Sequence, residues 1–154
     1  MRRRARRSAQ PLGVMSQPSW FPGVATEGGA ETELHYVAWT GNIERARQLV
    51  AGGADVNYID TAGETPIHGA AANGNAEMVS FLLSVGARID IPGTNDMTPL
   101  HWAAGWGNLE TVQVLVDAGA NVSVTDALGL TAEQVAVKHK NVMIADFLRS
   151  PHDA

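Results

Sequence analysis

An all-α solenoid of helix–turn–helix units, joined by β-turn or hairpin connections, is the fold class this sequence predicts. Three observations carry the prediction. TPIH at 65–68 and TPLH at 98–101 stand 33 residues apart, and the same step reaches TELH at 32–35 and TAEQ at 131–134. Gly41, Gly74 and Gly107 recur at that step, followed by Asn42, Asn75, Asn108 and Asn141. GGADVN at 52–57, VGARID at 85–90 and AGANVS at 118–123 keep it too. Independent columns sharing one period of this length mark stacked repeats.

Each element of a unit has its own local reason. Thr65-Pro66 and Thr98-Pro99 read as an N-cap followed by proline at the first helical position. Ala70, Ala71, Ala103 and Ala104 let that first helix pack closely. Gly74 and Gly107 end it, because glycine takes the left-handed conformation at little cost. Asn75 and Asn108 are then placed to cap the second helix. Its apolar face is Ala76, Val79, Leu82 and Leu83 in one unit and Leu109, Val112, Leu115 and Val116 in the next. Gly86 and Gly119 stop it. Gly63 and Gly129 suit a turn position with φ > 0, and Asp96 stands in their column.

The 154 residues suffice for one domain with a real core. There is no cysteine, which excludes disulfides, thiolate metal sites and cysteine nucleophiles. The densest apolar run, MVSFLL at 78–83, is far shorter than the roughly 18–20 residues of a membrane helix. No membrane partner is expected. The net charge of −5 is split: residues 1–26 carry five arginines and no acid, and residues 27–154 carry about −10. An acidic body does not seek phosphate backbones, so nucleic acid is expected only at the N-terminal arginines. The segment 1–26 is broken by Pro11, Pro18 and Pro22. Three readings of it stay open: a disordered extension, a nuclear-import or acid-binding cluster in RRRARR, or an organellar presequence. The first two go with a cytoplasmic or nuclear protein, the third with a mitochondrial one. Trp20-Phe21 is expected to pack on the first repeat.

With these motifs in place, the chain resembles ankyrin-repeat proteins, with repeats at 27–59, 60–92, 93–125 and 126–150 and a short end at 151–154. Repeats two and three match that pattern best. In the first, Glu33 replaces proline; in the fourth, Ala132-Glu133-Gln134 replaces Pro-Leu-His and Lys140 replaces glycine. Terminal repeats face water on one side, so polar substitutions are expected there. Glu44, Arg45, Arg47 and Gln48 would solvate the first cap, and Lys138, His139, Lys140 and Asp146 the last.

His35, His68 and His101 share one column. The resemblance implies a structural role, each histidine bonding the backbone of adjacent turns. A metal site would need converging ligands, whereas packed repeats set equivalent atoms on the order of 10 Å apart. No catalytic motif is present, and no enzyme, cofactor or metal is expected.

What remains is a binding surface on the concave side. The resemblance places recognition at the residues flanking the turn glycine and just before the inter-helix glycine. These are Trp39 and Thr40; Thr61, Ala62, Glu64, Ala72 and Asn73; Thr94, Asn95, Met97, Gly105 and Trp106; and Ala127, Leu128, Leu130, Lys138 and His139. Trp39 and Trp106 are the expected anchors, since nothing in the fold calls for tryptophan there. Met97 and Leu128 would extend an apolar patch between them. Trp102 is expected in the core. Leu49 with Asp55-Val56-Asn57 also matches the pattern an asparaginyl hydroxylase accepts in ankyrin proteins, which makes Asn57 a candidate modification site, although the same pattern is the repeat consensus.

The expected function is a non-enzymatic protein–protein interaction module, an adaptor, scaffold or inhibitor. An acidic concave face would favour a basic partner. The alternative is a structural subunit of a larger organellar assembly, anchored by the arginine-rich segment.

Overall fold

The computed structural model describes residues 29–150, with side chains from Glu33 onward. The basic segment 1–26, including RRRARR and Trp20-Phe21, and the end 151–154 lie outside the described residues. Eight α-helices follow in four pairs: α1 (Gly29–Thr40) with α2 (Ile43–Ala51), α3 (Pro66–Ala72) with α4 (Ala76–Ser84), α5 (Pro99–Trp106) with α6 (Leu109–Asp117), and α7 (Ala132–Lys138) with α8 (Val142–Arg149). There is no β-strand among the described residues, and tight turns join the pairs.

The Thr-Pro steps start helices as their chemistry requires. Thr65 and Thr98 are extended N-caps followed by Pro66 and Pro99. Each threonine amide donates to Nδ1 of the histidine three residues on, at 3.0 and 3.2 Å. In the fourth repeat Gln134 takes the place of the histidine, and Thr131 N–H donates to its Oε1 at 2.9 Å. The first repeat behaves differently. With Glu33 where proline would fix the first turn, α1 runs through the Thr32 column and begins at Gly29.

First helices pack against one another along the row, while second helices touch less. The row therefore curves with α1, α3, α5 and α7 on its concave side. Small residues permit the close approach: Ala38, Ala71 and Ala104 share one column and are fully buried. Val137 stands in that column in the fourth repeat and is 53% exposed, with no further repeat against it among the described residues. The outer layer contributes Leu49, Leu82, Leu115 and Leu148 to the same core. The C-terminal end is less polar than the sequence suggested, since Val142 and Met143 are exposed beside Lys140 and Asp146.

The asparagine column corrects an expectation. Only Asn42 caps its own helix, its Oδ1 accepting from Arg45 N–H at 3.0 Å. Asn75, Asn108 and Asn141 reach back instead to the preceding repeat. Their Nδ2 groups donate to the carbonyls of Trp39 at 2.8 Å, Ala72 at 3.2 Å and Ala104 at 2.7 Å. These are carbonyls a helix end otherwise leaves unpaired. The glycines are explained by the same contact. A Cβ on Gly74 would fall 2.5 Å from Asn108 Oδ1, and φ there is +73°. Lys140 occupies the column at φ 63° where no asparagine of a following repeat overlies it among the described residues.

Candidate functional site

The histidine column joins successive turns. His35 Nε2 lies 3.0 Å from the Glu64 carbonyl, and His101 Nε2 lies 2.9 Å from the Leu130 carbonyl. His68 Nε2 lies 2.9 Å from the Ile91 carbonyl, a different column. A carbonyl at Nε2 and an amide N–H at Nδ1 dictate the neutral Nε2–H form of His68 and His101. Burial, the largest influence, lowers the His68 pKa to about 4, which also keeps the ring neutral.

Glu64 is not on the binding surface. It is fully buried, which corrects the expectation from its column. Its Oε1 accepts from Thr94 N–H at 2.8 Å. Its Oε2 lies 3.2 Å from His68 Nδ1 and has no hydrogen-bond partner. The physical reason is Gly93. Asp60 and Asp126 hold that column in the second and fourth repeats and close their own turns. Asp60 Oδ1 accepts from Ala62 and Glu64 N–H at 2.8 and 3.0 Å, and Asp126 Oδ1 from Leu128 and Leu130 N–H at 2.9 and 3.0 Å. Gly93 has no carboxylate, and Glu64 of the repeat before fills the space beside it, accepting from a different amide of the turn, Thr94 N–H. A Cβ on Gly93 would overlap the Glu64 carboxyl group. Burial pushes the Glu64 pKa up to about 7, against the pull of the Thr94 amide. Protonated, Oε2 can share the His68 Nδ1 lone pair that Thr65 N–H already uses; ionised, it faces that lone pair with repulsion.

The other predicted residues divide by location. Trp39 is half-buried in α1, and its carbonyl accepts from Asn73 Nδ2 at 2.7 Å as well as from Asn75. Asn73 is exposed but held by that bond. Thr40 is exposed, with its hydroxyl donating to Val37 O at 3.2 Å, and Thr61 is exposed on the second turn. Ala72 is buried and leaves the surface. Trp102 is half-buried against the core.

Seven predicted residues converge. Asn95, Met97, Leu128 and His139 line an open pocket of about 370 Å³ between the third and fourth turns. Ala127, Leu130 and Lys138, from the same columns, line it as well. The recognition columns did not include Val135 and Asp126; Val135 lies in the Trp102 column, which read as core. The third turn is built to hold this pocket. Asn95 and Asp96 take left-handed φ of 55° and 56°, and the Asn95 carbonyl accepts from Ala127 N–H at 2.8 Å. Trp106 stands at the end of α5, 44% exposed. The residue before it keeps the fourth repeat close: a Cβ on Gly105 would fall 3.3 Å from Val135 Cγ1 and 3.9 Å from His139 Cδ2.

The charge of this face also differs from the expectation. Glu64 is the one acid among the recognition residues named above, and it is buried. Apart from Asp96, exposed on the third turn, most of the acidity lies elsewhere. Glu44, Glu77, Glu110, Asp117 and Asp146 are on second helices. Glu33 and Glu133 pair with Arg45 and Arg149 at 2.6 and 2.9 Å. Lys138 and His139 make the fourth-repeat end of the groove basic.

Asn57 sits at a repeat boundary on the other edge. Its Nδ2 donates to Gly86 O at 2.9 Å and its Oδ1 accepts from Arg88 N–H at 2.8 Å. An enzyme acting on this side chain must first break both bonds. Asp90, one repeat on, keeps the acceptor half of the arrangement, taking Asn121 N–H at 3.0 Å.

The sequence model of the family described as ankyrin repeats (3 copies) matches residues 34–126 and 95–154. No curated protein matches the chain.

Proposed function

The chain belongs to the ankyrin-repeat family, and from that premise we propose that it is a non-enzymatic adaptor, scaffold or inhibitor that binds a protein partner in its concave groove. Ankyrin repeats are in general protein–protein interaction modules. The observation that carries the reading here is the convergence at the third and fourth repeats. A largely apolar pocket opens between the third and fourth turns, and the exposed Trp106 follows Gly105, whose Cβ position faces two of the lining residues, Val135 and His139. Interfaces concentrate their energy in such anchors, with aromatic side chains prominent among them. Preorganised turns lower the entropy lost on binding.

The test is affinity capture from cell lysate with identification by mass spectrometry, followed by titration of the captured partner. Trp106→Ala and Trp39→Ala are compared with wild type after circular dichroism shows equal folding. The expected loss for Trp106→Ala is about 30-fold in affinity, or ~2 kcal/mol. Trp39→Ala should lose less, because that ring is already half-buried. Glu77→Ala on the outer layer serves as the control and should bind normally. Unchanged binding by both tryptophan variants would contradict the concave-groove reading.

A further inference from the structure

We infer that the pocket between the third and fourth turns takes an apolar side chain from a partner segment that carries a carboxylate next to it. This rests on the concave-groove reading and narrows it to one chemistry. The apolar lining is Met97, Leu128, Leu130 and Val135, and Leu128 is 72% exposed. About 370 Å³ lies at the low end of ligand sites, which run from about 300 to 1,000 Å³. That room suits one branched or aromatic side chain with its flanking backbone.

Charge selects the neighbour of that side chain. Lys138 and His139 line the same pocket. Among the described residues the Lys138 ammonium makes no ion pair, whereas Arg149 of the same repeat is held by Glu133 and Asp146; Lys140 is likewise unpaired but does not line the pocket. The one acid in the lining is Asp126, whose Oδ1 already accepts two amide N–H groups of its own turn. Within the lining, an incoming carboxylate meets an ammonium that has no ion-pair partner; an incoming cation meets that like charge and a carboxylate with one oxygen already taken up by its own turn. The net charge of the body would suggest the opposite partner, but much of that charge sits on the outer helices and at paired sites, and Asp96, exposed on the third turn, is not among the residues that line the pocket. Lys138 also ends α7, where a cation complements the carbonyl end of the helix. Its role in recognition is therefore read on binding, with folding followed separately.

The test pans a phage-displayed random peptide library on the full chain. Enriched peptides are expected to place Leu, Ile, Phe, Met or Trp beside Asp or Glu. A synthetic copy of the strongest peptide should shift the amide resonances of residues 127–139. Replacing its acid with the amide should weaken binding at least about 10-fold. Lys138→Glu should do the same, and should favour the peptide with lysine in place of the acid. No enrichment, enrichment without the acid, or resonance shifts elsewhere would overturn the inference. Peptides that are lost with Trp106→Ala but indifferent to Lys138→Glu would overturn it while leaving the concave groove standing. Indifference to both would remove both readings.

Discussion

Between the second and third turns the crevice is filled by Glu64; between the third and fourth, where Met97 holds the Glu64 column, it is open. The partner columns change together with these two residues. Gly93 faces Glu64, and Asp126 stands across from Met97. The Asp126 carboxylate accepts two amides of its own turn, and the residue that the preceding repeat sets against it, Met97, is apolar and lines the open pocket. At Gly93 the turn has no such side chain, and Glu64 of the preceding repeat fills the crevice and accepts from Thr94 N–H. Recognition surface is thus available where local structure is self-sufficient.

The largest effect expected from disturbing this comparison is at Gly93. Gly93→Asp places a second carboxylate in the volume that Glu64 occupies, with overlap and like-charge burial combined. A loss of about 3 kcal/mol in unfolding free energy is expected, measured by urea denaturation. Adding Glu64→Met reproduces the Met97–Asp126 pairing and should restore stability to within ~1 kcal/mol of wild type. A harmless single variant, or a double variant no better than the single, would break the comparison.

Glu64→Gln probes the filled crevice by pH. The native pKa of Glu64 is raised from an ordinary 4.5 to about 7, so the native state keeps this proton longer than the unfolded chain. The stabilisation it brings is complete below about pH 4.5 and is lost as pH rises through about 7. His68, lowered from 6.5 to about 4, has the opposite sign: its contribution is present above about pH 6.5 and is lost as pH falls through about 4. From about pH 4.5 to 6.5 the pair holds one proton in both states, and the two slopes cancel. Gln keeps the neutral geometry at every pH. Its advantage over wild type should therefore widen by about 1–3 kcal/mol between pH 5 and pH 8, read from denaturation at each pH. A constant difference would mean that Glu64 is ionised in the crevice throughout.

The smallest effect belongs to the open crevice. Leu128→Asp should change the unfolding free energy by less than about 0.5 kcal/mol, because the side chain is 72% exposed. The same variant should abolish binding of the peptides that fill the pocket. A large loss of stability would mean that Leu128 belongs to the core.

Much of the architecture was legible because repetition multiplies weak local signals. The Thr-Pro starts, the alanine columns and the second-helix leucines each recur, and the helices stand where those columns place them. What sequence reading missed are contacts between repeats. Asn75, Asn108 and Asn141 sit at N-caps, yet their amides find unpaired carbonyls one repeat back. Glu64 occupies a recognition column, yet a missing side chain at Gly93, 29 residues on, draws it inside. The net charge was known, but its placement on the outer layer depends on which columns face outward. Most of the site was legible: seven of its nine lining residues, Met97, Leu128 and Lys138 among them, stand in recognition columns, whereas Val135 and Asp126 join them only through the stacking of the turns.

The central claim is that binding uses the groove at the third and fourth repeats. Amide hydrogen exchange of the full chain, alone and saturated with its captured partner, tests it most directly. Slowed exchange is predicted at 94–97, 105–107 and 127–139, with α2, α4 and α6 unchanged. Protection confined to those second helices, or to residues 1–28, would contradict it.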